Sequence, residues 1–140
     1  HVLSGARAEA IDDCTRVFID FNSRMQILSS FPQTSGRELH IKVKLLDPLS
    51  DFNGRESLRV PDEASSLRSI EYDGSGTAGP VLSLFFTKDM HFEVAATPKP
   101  NIVVIKLTDP SAQGHALHPG STRRLREVWP APRILQKPVN

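Results

Sequence analysis

Cysteine is almost missing from this chain: Cys14 stands alone among 140 residues. A single thiol cannot close an internal disulfide, which excludes the small cystine-stapled scaffolds. Long apolar runs are missing too. None approaches the ~18–20 residues that span a bilayer, so no membrane span is expected. Charge of one sign is equally scarce, since 17 Lys and Arg offset 16 Asp and Glu for a net +1. That balance argues against a dedicated nucleic-acid binder and leaves protein, self or other, as the expected partner. The chain starts at His1 rather than Met, as expected of a processed product or an excised segment, and His1-Val2-Leu3 is too short for a signal-peptide core. A lone thiol fits a reducing compartment and a secreted domain alike, so the sequence assigns no localisation.

What is present is enough for one ordinary domain, which buries roughly two-thirds of its unfolded surface. From Ala10 to Leu28, Ile11, Cys14, Phe18, Phe21, Met25 and Leu28 recur at spacings of three and four, the signature of an amphipathic helix. Thr15 to Phe21 also alternates, and Asn22-Ser23 would then turn a hairpin into Met25-Ile27. Six matches to the helical period favour the helix. Glu38 to Leu45 alternates without a break and reads as a strand with Leu39, Ile41, Val43 and Leu45 inward, facing Phe18, Phe21 and Met25.

Leu58-Arg59-Val60 reads as a short edge strand, and Pro61 to Ile70 as a short helix with Leu67 and Ile70 inward. Val81–Thr87, His91–Thr97 and Asn101–Thr108 read as three strands of a meander, the first two joined by Lys88-Asp89-Met90. Beyond residue 110 prolines accumulate, and residues 111–140 carry five Lys or Arg against one acidic residue. The expected architecture is α+β: an N-terminal amphipathic helix on an antiparallel sheet of about four to five strands. It occupies 1–110, and a Pro-rich basic C-terminal arm, with one short helix at Ser121–Trp129, occupies 111–140.

The segment Ala6-Arg7-Ala8-Glu9-Ala10-Ile11 is similar to the helix end of some minor pseudopilins. The order of a helix followed by an antiparallel sheet resembles the wrapped sheets of the cystatin and nuclear-transport-factor type, and that resemblance implies an apolar cavity between helix and sheet.

Few residue patterns carry chemistry. Gly74-Ser75-Gly76-Thr77-Ala78-Gly79 spells G-x-G-x-x-G, but Pro80 and a strand follow it where a phosphate loop needs a helix N-terminus, so it reads as a turn. His91 and Glu93 share one strand face, with Asp89 nearby, and could move a proton. With Asp20 they are the catalytic candidates of a small-pocket enzyme. His115 and His118 form an H-x-x-H without further ligands, so no metal and no cofactor is expected. Cys14 sits on the apolar helical stripe and reads as a buried, inert thiol. In the arm, Arg123, Arg124, Arg126 and Arg133 surround Trp129, a large anchor with guanidinium forks, and these are the expected partner-binding residues.

The function expected from this set is a non-catalytic protein-interaction or assembly domain acting through its C-terminal arm and a sheet edge. The alternative is a small-pocket enzyme, or a binder of a small apolar ligand, with the helix-plus-curved-sheet cavity.

Overall fold

The computed structural model describes residues 1–47, 51–95, 97 and 99–111. The chain divides into two units, His1–Asp109 and Pro110–Asn140, and the fold is that of the first. Among its described residues it has eight strands and no helix: β1 (Leu3–Ile11), β2 (Cys14–Phe21), β3 (Met25–Phe31), β4 (Ser35–Leu45), β5 (Arg55–Leu58), β6 (Leu67–Asp73), β7 (Val81–Ala95) and β8 (Ile102–Thr108). All ladders are antiparallel. The main path runs β1-β2-β8-β7-β4-β3, and β6 pairs with β7 on one side and β5 on the other. The α+β expectation is therefore wrong, and so is a sheet of only four to five strands.

The N-terminal helix is the largest correction. Residues 10–28 form the end of β1, all of β2 and most of β3. Ile11 and Leu28, which a helical stripe would bury, are exposed at 45% and 54%, while Val17, Ile19 and Phe21 are buried at the strand period of two. β-Branched Thr15, Val17 and Ile19 suit an extended backbone. The turn Asp12-Asp13 supports this, because Asp12 takes a φ of 55°, a left-handed conformation that Asp tolerates. The misleading member is Phe18, which points outward beneath the Arg7 guanidinium, 4.6 Å from the ring centroid. The alternating reading of 15–21 describes the backbone correctly, but β2 and β3 do not form a hairpin: β2 pairs with β1 and β8, and β3 with β4. The pseudopilin-like segment Ala6 to Ile11 is strand, and residues 10–28 do not form the helix that the cystatin and transport-factor resemblance would lay on the sheet.

The expected strand at 38–45 lies within β4, with Leu39, Ile41 and Val43 buried. No helix covers 61–70. Turns closed by Ala64 N–H to the Pro61 carbonyl and Leu67 N–H to the Ala64 carbonyl lead into β6, where Leu67 and Ile70 are buried as strand residues. The supposed turn at Lys88-Asp89-Met90 is the middle of one long strand. Leu82, Leu84, Phe86, Met90 and Phe92 keep one parity across it and stay buried, so the chain bends there without reversing. At the bend the β4–β7 register jumps between Gly36 and Glu38, and Arg37 donates from Nη2 to the Thr87 carbonyl at 2.7 Å.

Because β7 bends, the sheet curls and its inner faces share one core. Phe21 of β2 meets Tyr72 of β6 edge to face at 6.5 Å, and Phe86 stacks on Phe92 across the bend at 5.7 Å. On the far side β1 approaches β5. There the Glu56 carboxylate accepts the N–H groups of Val2 and Leu3 at 2.7 and 2.9 Å, joining two strands that share no ladder. Among the described residues no helix is long and apolar enough to cross a membrane.

Candidate functional site

A strand edge is chemically special because its outward N–H and C=O groups have no partner. Among the described residues, three strands of this sheet have ladders on one side only: β1, β5 and β3. The first two lie next to each other and are protected. Glu56 caps the start of β1, and an open cleft of about 560 Å³ separates the rest of it from residues 58–63. The rim of that cleft is charged, with Arg7 and Arg59 on it beside Asp62 and Glu63. Charges at an edge are the usual device that discourages further pairing.

β3 is covered only at its start, where the Met25 N–H donates to the Pro100 carbonyl at 2.8 Å, and no charge guards the rest of it. It reads Met25-Gln26-Ile27-Leu28-Ser29-Ser30-Phe31, and it alone among the eight strands carries no charged residue. Met25 is buried beneath it, but Phe31 is 73% exposed and Leu28 54% exposed. Leu28 is the extra residue of a bulge, since Ile27 opposes Val43 while Ser29 opposes Lys42. The bulge turns an apolar side chain out of the ladder and adds local twist, so the edge resists flat, indiscriminate stacking while still offering a hydrophobic grip.

The surface next to this edge is ordered by register. Phe31 opposes His40 on β4, His40 opposes Ser83 on β7, and Ser83 opposes Glu71 on β6, so these four lie in one row on the outer face. The His40 ring is fixed from three sides. Its Nδ1 lies 2.7 Å from Ser83 Oγ, its Nε2 lies 2.9 Å from Glu38 Oε1, and Phe85 packs against it edge to face at 5.9 Å. A carboxylate, an imidazole and a hydroxyl in a chain bring acyl transfer to mind, but Ser83 occupies a central strand paired on both sides. The N–H groups beside it on β7 serve the ladders to β4 and β6 rather than an oxyanion. The chain of hydrogen bonds links β4 to β7 on the outer face beside the edge.

Of the sequence-derived catalytic candidates, His91 and Glu93 share one face of β7, as expected, while Asp20 lies apart from them on β2. His91 and Glu93 are exposed on the outer face of β7, opposite Thr108 and Lys106. Asp20 is on the outer face of β2, 3.8 Å from Arg7, and its ladder partners are Gly5 and Ile102. Cys14 is half-buried at the start of β2, opposite Thr108, and is not part of a buried stripe. The glycine motif is a structural turn. It leads into β7, Asp73 accepts from the N–H and hydroxyl of Ser75, and Gly79 takes a φ of 99°. Trp129, Arg123, Arg124, Arg126, Arg133 and the His115/His118 pair lie outside the described residues, as does the expected helix at 121–129.

Sequence reasoning placed Leu28 on a helical stripe, offered Met25-Ile27 only as the arm of an alternative hairpin, and gave no role to Phe31 or to the His40 cluster. The signal for β3 was readable: no charge occurs between Arg24 and Arg37 in a chain that is 24% charged. No family model, no curated protein and no solved structure matches this chain.

Proposed function

We propose that this domain is a non-catalytic protein-interaction module that receives an extended segment of another polypeptide along the edge of β3. The observation that carries the reading is the pairing of an open ladder with an uncharged sequence that exposes Leu28 and Phe31. Strand addition of this kind draws its affinity from main-chain hydrogen bonds and its selectivity from side chains on alternate positions. The hydrogen-bonded outer face beside β3 supplies pre-organisation, which lowers the entropic cost of association. The arm at 111–140, with Trp129, is the second contact of this reading and rests on its sequence.

The test is a selection of extended display peptides on the full chain, followed by binding of the selected peptide to two variants. Leu28→Lys is expected to abolish binding with a stability change within about 0.5 kcal/mol, because the side chain is largely exposed. Arg7→Glu, at the β1 edge, is expected to leave binding unchanged. Selected peptides whose affinity ignores Leu28→Lys, or a selection that yields none, would overturn the reading.

A further inference from the structure

The charges that flank β3 say what its partner must look like. Although the strand itself is neutral, its neighbour β4 presents Lys42 and Lys44 on the same outer face, in register with Ser29 and Gln26 of β3. Neither lysine makes a salt bridge among the described residues, whereas the nearby Arg24 is held by Asp47 at 2.8 Å and is not free to recruit a partner. Ser29 is too short to screen Lys42 from the edge. An added strand would lie about two spacings, roughly 10 Å, from β4, a gap that a lysine and a glutamate side chain close from opposite sides. The apolar contribution comes from Phe31 and Leu28, close to the far end and the middle of the same edge.

We infer, resting on the reading above, that the strand received by β3 is acidic: an extended segment that alternates Glu or Asp on the outer face with uncharged residues and ends in an aliphatic or aromatic residue against Phe31. Its carboxylates pair with Lys42 and Lys44 over Ser29 and Gln26. A second copy of this chain is disfavoured as the occupant, because a twofold axis through the middle of β3 would bring the Lys42 and Lys44 side chains of both copies toward one another.

The experiment uses the full chain and three synthetic peptides of equal length and apolar content, carrying Glu, Lys or Gln at alternate positions. The acidic peptide is expected to bind roughly tenfold or more tightly than the basic one at low salt, with the difference shrinking as salt rises. The double variant Lys42→Glu/Lys44→Glu is expected to invert that order. Backbone N-methylation of the acidic peptide at its ladder-facing positions is expected to abolish binding. Equal binding of all three peptides that is still lost in Leu28→Lys overturns the acidic partner and leaves the edge-docking reading standing. Acidic-peptide binding that survives N-methylation overturns both. Concentration-dependent dimerisation that is lost in Leu28→Lys would show a second copy on the edge and overturn the proposal.

Discussion

Tyr72 illustrates how a single residue reports on the whole interior. Its ring packs on Phe21 in the core and its hydroxyl donates to the Phe52 carbonyl at 2.5 Å, so the aromatic body is dry and the polar tip is satisfied. Burial, reinforced by the negative charges of Glu56, Asp51 and Asp73, pushes its pKa from 10.0 up to about 12. The unfolded chain releases the phenolic proton first. Between the two values it binds fewer protons than the folded chain, so stability is fully present below pH 10 and falls as pH rises toward 12. Tyr72 is the only tyrosine, which lets phenolate absorbance follow it without interference. A step near 12, coincident with loss of native circular dichroism, is expected. A step near 10 in a chain that remains folded would contradict the packed position.

Elements show where the sequence was legible and where it was not. β4 was readable because Leu39 to Leu45 obeys a local rule, alternation, that one buried face imposes. β2 was not, because Phe18 found its partner in Arg7 on the neighbouring strand, and that contact fills out a helical spacing by accident. β7 was split in two because polar Lys88 and Asp89 mimic a turn, whereas the strand only bends there and continues into its pairing with β8. The edge status of β3 depends on which strands are paired across long sequence distances, a property that no local pattern contains. Only its missing charge was visible in the letters.

The β6–β7 loop makes the same point for glycine. A Cβ on Gly74 would lie 1.7 Å from the Phe52 carbonyl oxygen and 2.9 Å from the Tyr72 hydroxyl, while one on Gly76 meets nothing within 4 Å. Two glycines of one motif thus have different physical reasons to exist. Gly74→Ala should destabilise by about 2 kcal/mol or more through forced displacement of the 51–54 turn. Gly76→Ala should stay within about 0.5 kcal/mol. Chemical denaturation of both variants checks this, and equal effects would refute the close packing of the loop.

On the scale of the whole domain, the inner faces of the curled sheet build one core, and the remaining question is how each free edge is managed. β1 and β5 manage theirs together, through the Glu56 carboxylate and the charged rim of the cleft between them. β3 stands apart as the neutral edge with two exposed apolar side chains, beside a face crossed by the Glu38–His40–Ser83 chain. The measurement that bears most directly on this asymmetry is amide hydrogen exchange of the full chain, with and without a selected extended peptide. In the free chain, the edge-facing amides of residues 27–31 are expected to exchange quickly, whereas Met25, bonded to the Pro100 carbonyl, is protected. On binding they should slow markedly, while those of Gly5 to Ile11 stay unchanged. Exchange in β3 that is indifferent to the peptide, or slowing confined to β1, would contradict the account.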